Sequence, residues 1–376
     1  MLPAKAFYFA FYAAMSCLVP YLVLYYSQLG LTGRQIGLLV SIPPVITLLA
    51  APLWGGVADA TQQHRRVLLL AIAGSLAMVF VLSSTTSLLW LLPVIAAYAF
   101  FTAPIMPLVD NSVMAMLGPR RDQYGKQRLW GAIGWGIAGA AAGVLIDYDG
   151  LRWAFFGFFV FTTFELLLAT RLPIAAGAIG VRFGRGLSVL LTNRRWVLFL
   201  ATVFVGSIAA SIVNNFLFLF LDDIGASRTL MGISLTVATL SELPIFFYSD
   251  RLLQRWGARG LLAVALGAYG LRMFAYAWMP EPWWVLPINL LHGLSFSAMW
   301  VAGVSYANAI APPGLGATAQ GLFTGTTMGL GAAAGALLGG FLYDAVGPAV
   351  TFSVVGIAVW AGLAFFWLAN RQQQSA

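Results

Sequence analysis

FYFAFYAAMSCLVPYLVLYY, residues Phe7 to Tyr26, runs for twenty residues without a charged side chain. A helix rising about 1.5 Å per residue needs about that length to cross the roughly 30 Å hydrocarbon layer of a bilayer. The stretch is too long for the apolar region of a secretory signal, and no small-residue cleavage site follows it. It reads as a first membrane span. The same ruler laid along the chain predicts twelve spans, near residues 4–29, 33–58, 66–84, 88–118, 124–147, 151–172, 195–221, 228–250, 259–279, 283–310, 316–341 and 348–370.

Composition agrees with that count. Of the 376 residues 61% are hydrophobic and 9% charged, against roughly 25% charged in a soluble domain. Such a chain cannot cover itself with water-compatible surface, which argues against a nucleic-acid binder, a disordered tail or a secreted scaffold. The single Cys17 has no partner for an internal disulfide. Two His and one Cys are too few for a metal constellation, and no metal or cofactor is expected. Nucleotide-binding and serine-hydrolase signatures are absent, so the sequence predicts no enzyme and no ATP drive.

Where the charges fall predicts topology. Lys5, Arg65, Arg66, Arg120, Arg121, Lys126, Arg171, Arg182, Arg185, Arg194, Arg195, Arg251, Arg255, Arg259 and Arg371 lie on one side, and Arg34, Arg152 and Arg228 on the other. Fifteen against three places both termini in the cytoplasm of an inner (plasma) membrane protein. The one long connection, residues 173–194, carries Arg182 and Arg185 among glycines and reads as a cytoplasmic linker between bundles 1–172 and 195–376.

The two halves repeat. Gln28-Leu-Gly-Leu-Thr32 recurs as Asp223-Ile-Gly-Ala-Ser227, Gly37 as Gly232, and Asp59 with Arg65 and Arg66 as Asp250 with Arg255 and Arg259. Gly143-Val-Leu-Ile-Asp-Tyr-Asp-Gly150 recurs as Gly340-Phe-Leu-Tyr-Asp-Ala-Val-Gly347. Four matches in order, at offsets of 191 to 197, indicate a parallel duplication of six spans. Glycines spaced along spans 5 and 11 predict closely packed helix seams, on which one bundle can rock against the other.

Charged side chains inside spans are expensive and face a cavity or one another. Asp110, Arg128, Glu165, Glu242 and Arg272 qualify, with His292 as a titratable neighbour. Asp110 and Arg128 lie ten and eight residues from Arg120, at similar depth across an antiparallel turn. An Asp–Arg pair offers donors and acceptors suited to vicinal hydroxyls, and its simpler reading is a structural tie between spans 4 and 5. Asn111 adjoins it. Tyr8, Tyr12 and Ser16 form a polar stripe at helical period on span 1, and Asn214 and Asn215 are polar at depth in span 7. Desolvation near mid-membrane favours the neutral form of a carboxyl such as Glu242, which suits it to carry a proton, with Arg272 and His292 at comparable depth. The plainer reading is a fixed Glu242–Arg272 bridge. Glu165 reads as structural, and His64 as a solvated loop residue.

Gly55-Gly-Val-Ala-Asp59 followed by His64-Arg65-Arg66 resembles the motif between spans 2 and 3 of the major facilitator superfamily, with Ala60 where a basic residue is common. The resemblance implies an all-α fold of twelve transmembrane helices in two pseudo-symmetric six-helix bundles, with Asp59 and Arg65, and by repeat Asp250 and Arg259, as cytoplasmic gate residues. Tyr124-Gly-Lys-Gln-Arg128-Leu-Trp130-Gly-Ala-Ile-Gly-Trp135 and Leu291-His292-Gly-Leu-Ser-Phe296 resemble the lactose permease, nucleoside–proton symporter and phenylpropionate permease branch. That implies substrate contacts from Asp110, Arg128 and Trp135 and a coupling role for Arg272 and His292. Ser295 stands where that branch has a proton-carrying carboxylate, and Met328 near its span-11 lysine. The expectation is a monomeric proton-coupled symporter, acting by alternating access, of a small polar organic solute. A sugar or nucleoside is favoured, and an aromatic carboxylate remains open through Arg128 and Arg272. An exporter of amphipathic compounds and a non-transporting receptor or scaffold are the rival readings.

Overall fold

The computed structural model describes residues 1–174 and 186–372. Residues 175–185, most of the expected linker and with it Arg182 and Arg185, lie outside the described residues. The described chain is built from helices: α1 (Leu2–Gln28), α2 (Gly33–Thr61), α3 (His64–Ser83), α4 (Leu88–Thr102), α5 (Ile105–Leu117), α6 (Tyr124–Asp149), α7 (Arg152–Arg171), α8 (Gly186–Thr192), α9 (Arg194–Asp223), α10 (Arg228–Phe247), α11 (Ser249–Ala277), α12 (Val285–Asn289), α13 (Ala298–Ile310), α14 (Gly316–Thr324), α15 (Ala332–Val346) and α16 (Pro348–Gln372). Among the described residues eleven segments are long and apolar enough to cross a membrane, and a twelfth forms when Pro282–Asn289 and Gly293–Ile310 are taken as one span bent by 40°. All twelve predicted spans are therefore present, two of them broken. Span 4 is divided into α4 and α5 around Ala103–Pro104, where proline withholds a backbone N–H.

The sequence repeat is also a backbone repeat. Gly30 and Gly225 both take φ +78°, and Gly150 and Gly347 take +87° and +79°, a region that glycine enters without steric penalty. Thr32 and Ser227 both cap the helix that follows. Thr32 Oγ1 accepts from the Gln35 N–H at 3.3 Å, and Ser227 Oγ accepts from the Leu230 N–H at 3.1 Å. Gln35 completes the first cap by accepting the Thr32 N–H at 3.0 Å.

Contacts group the chain into two compact units: Met1–Gly180 with Leu221–Thr236, and Val181–Phe220 with Val237–Ala376. In the first unit α1 packs against α6 and α7, and α4 lies between α2 and α3. The span-5 glycines sit in tightly packed helix seams. A Cβ at Gly134 would meet the Phe9 carbonyl of α1, and one at Gly139 would approach Leu235 of α10. Leu221–Thr236 groups with this unit through α6: both Asp147 carboxylate oxygens accept backbone N–H groups, from Arg228 and Thr229, at 2.7 Å each. Thr236 donates to the Gly136 carbonyl at 2.7 Å. The units thus divide α9 and α10 instead of falling wholly at the linker. In the second unit α11 packs on α13 and α16. The span-11 glycines face α9, where Ser211 donates to the Ala332 carbonyl at 2.6 Å and a Cβ at Gly335 would press on the Ile208 carbonyl.

Candidate functional site

Two clusters of polar groups lie inside the spans, one in each unit. In the first unit the turn around residues 118–123 reverses the chain and sets Asp110 on α5 beside Arg128 on α6. Arg128 Nη1 donates to Asp110 Oδ2 at 2.9 Å. Tyrosine hydroxyls complete the arrangement. Tyr8 donates to Asp110 Oδ1 at 2.6 Å, and Arg128 donates to Tyr124 at 2.9 Å and to Tyr12 at 2.8 Å. The Arg128 guanidinium also lies 5.9 Å from the centre of the Tyr12 ring. Gly131 makes this approach of α1 and α6 possible, because a Cβ there would overlap the Tyr12 ring.

The pair is accessible: the side chain of Arg128 is 44% exposed and that of Asp110 28%. Each carboxylate oxygen retains lone-pair capacity beyond the bonds described, and the guanidinium carries five N–H donors. A solute with adjacent hydroxyls therefore finds both donors and acceptors here. Trp135 is half-buried, seven residues after Arg128 and so on the same face of α6, about two turns along. Asn111 is half-buried and about 100° round α5 from Asp110.

The span-1 stripe divides: Tyr8 and Tyr12 join the cluster, whereas Ser16 bonds its own helix at the Ala13 carbonyl, 3.1 Å away. Tyr124 was missed in the sequence. Its signal was its place four residues before Arg128, the spacing of neighbouring side chains on a helix. In α9, Asn215 is turned back onto Ser211, whose carbonyl accepts its amide at 2.8 Å, while Asn214 is exposed.

In the second unit the bend in span 10 places His292 between α12 and the π-helical turn Gly293–Ser297. Breaking a helix frees backbone groups, and Ser241 of α10 takes them up. It accepts the Gly293 N–H at 2.9 Å and approaches the Asn289 carbonyl at 3.3 Å. Gly293 permits the close approach, since a Cβ there would overlap the Ser241 carbonyl. The next residue on α10, Glu242, then meets His292 Nε2 at 3.1 Å. These two side chains are 21% and 16% exposed. Phe296 stacks on the imidazole at 5.3 Å.

Arg272 is held apart from the Glu242 carboxylate. It is 2% exposed and makes no ion pair with Glu242 among the described residues. Its donors go to Tyr276 (2.8 and 3.1 Å), Ser295 (3.0 Å) and Asn289 (2.9 Å). The plainer alternative, a fixed Glu242–Arg272 bridge, is absent among the described residues; Glu242 pairs with His292 beside a guanidinium held by neutral oxygens. Ser241, Tyr276 and Asn289 had no signal in the sequence, because only the bend in span 10 brings them together.

The expected gate pairs are also rearranged. Asp59 meets His64 Nε2 at 3.1 Å, and His64 is buried, 3% exposed, not a solvated loop residue. Arg65 donates to the Leu172 carbonyl at 3.0 Å, tying the start of α3 to the end of α7. His64, the first residue of α3, meets Asp59 near the end of α2, and Arg65, the next residue, reaches the end of α7. In α11, Gly257 at φ +64° kinks the helix between Asp250 and Arg259. No ion pair joins those two residues among the described residues, and Arg259 lies 5.5 Å from the Tyr306 ring centre instead. No group of three or more His, Cys, Asp and Glu side chains able to hold a metal occurs among the described residues.

Membrane-length helices with opposite charges held together inside apolar spans define a multi-pass membrane protein with polar sites inside its spans. The chain matches the model of the MFS_1 like family over residues 1–354 and belongs to that family, with the major facilitator fold. It is 30% identical over 376 residues to a maltose permease of Geobacillus stearothermophilus, covering 98% of this chain and 94% of the permease. It is 24% identical over 369 residues to a probable 3-phenylpropionic acid transporter of Escherichia coli (strain K12), covering 94% and 93%. The solved nucleoside transporter NupG matches with a TM-score of 0.87 at 18% identity, covering 98% of both chains, a likeness of fold. Membership of this family makes the protein a transporter of a small-molecule solute.

Proposed function

We propose that the protein is a proton-coupled symporter of a polyhydroxylated solute, a sugar or nucleoside, working by alternating access. The observation that carries this reading is the half-exposed Asp110–Arg128 pair ringed by the hydroxyls of Tyr8, Tyr12 and Tyr124. Hydroxyls of a solute bridge such a pair by accepting from the guanidinium and donating to the carboxylate. Trp135 supplies a ring for the apolar face of a sugar or base, and Asn111 a further polar contact. Asn214, exposed on span 7, and Asn215 beside it are further candidate polar contacts. That a relative is a maltose permease and a structural neighbour a nucleoside transporter supports the solute class.

Glu242 carries the proton in this reading. His292 is its hydrogen-bond partner, and Arg272 is a fixed cation beside them. The moving bodies are the sequence halves 1–172 and 195–376, joined through a cytoplasmic linker at 173–194. The protein acts as a monomer in an inner membrane, with both termini cytoplasmic. Asp59 with His64 and Arg65, and Asp250 and Arg259 at the repeated position, work at the cytoplasmic ends. Purified protein in proteoliposomes, offered maltose, uridine and 3-phenylpropionate in turn, should take up protons with maltose or uridine. Uptake only with 3-phenylpropionate would replace the solute class by an aromatic carboxylate. Binding without flux would make the protein a receptor, and proton movement opposite to solute would make it an exporter.

A further inference from the structure

Glu165 stands apart from both clusters. It lies on α7, is 2% exposed, and forms no hydrogen bond or ion pair among the described residues. Its Oε1 is sealed from solvent without a partner. One turn earlier on the same face, Thr162 is 1% exposed and its hydroxyl is likewise unpartnered. Tyr98 of α4 lies within electrostatic reach of Glu165, and its hydroxyl donates to the Met15 sulfur at 3.3 Å, a weak acceptor. Glu165 and Thr162 thus bury oxygens on one face of α7 without the hydrogen bonds that buried groups ordinarily make, with Tyr98, itself bonded to Met15 and Thr102, nearby. The nest adjoins the proposed solute site along α1, since Met15 lies one turn beyond Tyr12.

An ionised carboxylate buried without a counter-charge is strongly unfavourable, so the group is neutral or holds a cation. Among the described residues no arginine or lysine is paired with it. Arg128 on α6 is engaged with Asp110, and Asp149 on the same helix pairs with Arg152. Asp147 of α6 is committed to the start of α10. On α3, Arg65 reaches the Leu172 carbonyl and His64 pairs with Asp59. From α1, Tyr8 and Tyr12 are bonded to the Asp110–Arg128 pair, and Cys17 faces Gly157, two turns before Glu165. Tyr98 is the titratable side chain that faces the carboxyl.

We propose that Glu165, with Thr162 and Tyr98 around it, is a second proton-binding site of the transporter, separate from Glu242. Its part in coupling rests on the symport reading above; its occupancy by a proton does not. No bond other than O–H is made or broken: the carboxyl takes a proton from one side and returns it as H⁺ when the packing of α7 against α1 opens.

The test is infrared difference spectroscopy on the purified full-length protein, titrated from acid to alkaline pH in potassium buffer. A protonated carboxylic-acid band is expected at neutral pH, absent in Glu165→Gln, retained in Glu242→Gln, and titrating reversibly while the helices stay folded. Three results would each overturn the proposal: no difference between Glu165→Gln and the parent, a band that persists until the protein unfolds, or a band removed by sodium chloride at constant pH. The last would assign the site to sodium. Glu165→Leu replaces the polar group by an apolar one of similar size. It should raise the thermal midpoint while abolishing the band, and a large fall would make Glu165 a purely structural group. In proteoliposomes with maltose or uridine, Glu165→Gln should lower the proton-to-solute ratio and spare counterflow. If no solute moves protons, symport fails while the infrared assignment stands.

Discussion

Asp110→Asn tests the solute site directly. Asp110 accepts Tyr8 at 2.6 Å and Arg128 at 2.9 Å, and the amide keeps its shape while removing its charge. A hydrogen bond to a charged group contributes about 1.5–3 kcal/mol. With Arg128 44% and Asp110 28% exposed, water screens the pair, and the low end applies. A solute that donates to the carboxylate loses a contact of that size, so affinity should weaken by about 10- to 30-fold, or about 1.4–2 kcal/mol. For a solute bound only moderately well, that removes detectable binding. Folding should survive, because Tyr12 and Tyr124 still hold Arg128 at 2.8 and 2.9 Å. The assay is isothermal titration calorimetry with the solute found in proteoliposomes, alongside size-exclusion chromatography to confirm a monodisperse protein. Near-normal affinity in a monodisperse Asp110→Asn protein would refute the assignment and leave the pair as a structural tie.

Three further outcomes are expected. Glu242→Gln, a permanent mimic of the protonated carboxyl, should retain binding and counterflow yet lose accumulation driven by a pH gradient; continued uphill uptake would move the coupling to His292 or Glu165. Asp147→Ala removes the carboxylate from the Arg228 and Thr229 N–H groups. At about 1 kcal/mol for a helix cap, the contact between α6 and α10 weakens about fivefold in equilibrium terms, read as faster labelling of a cysteine placed in the first turn of α10. Gly293→Ala drives a methyl group into the Ser241 carbonyl, so it should destabilise the protein by about 1–3 kcal/mol in a thermal-melt assay and separate Glu242 from His292.

Fold and first cluster were largely legible in the sequence, for one physical reason. A bilayer imposes a length on every span, so uncharged runs such as Phe7–Tyr26 count themselves, and positive-φ glycines such as Gly30 and Gly225 repeat because only glycine takes those turns without penalty. Asp110 and Arg128 were readable as a pair because a short antiparallel turn fixes their depths, and Tyr8 and Tyr12 because helical period keeps them on one face. The partners of the other charges were decided by tertiary structure. Span 10 bends by 40° at His292 and α11 kinks at Gly257, and neither break follows from local hydrophobicity. Those bends hand Arg272 to Tyr276, Asn289 and Ser295, give Glu242 to His292, and leave Asp250 and Arg259 apart. Sequence sets which residues lie at the same depth; which of them touch depends on the rotation and bending of each helix, and those are set by packing.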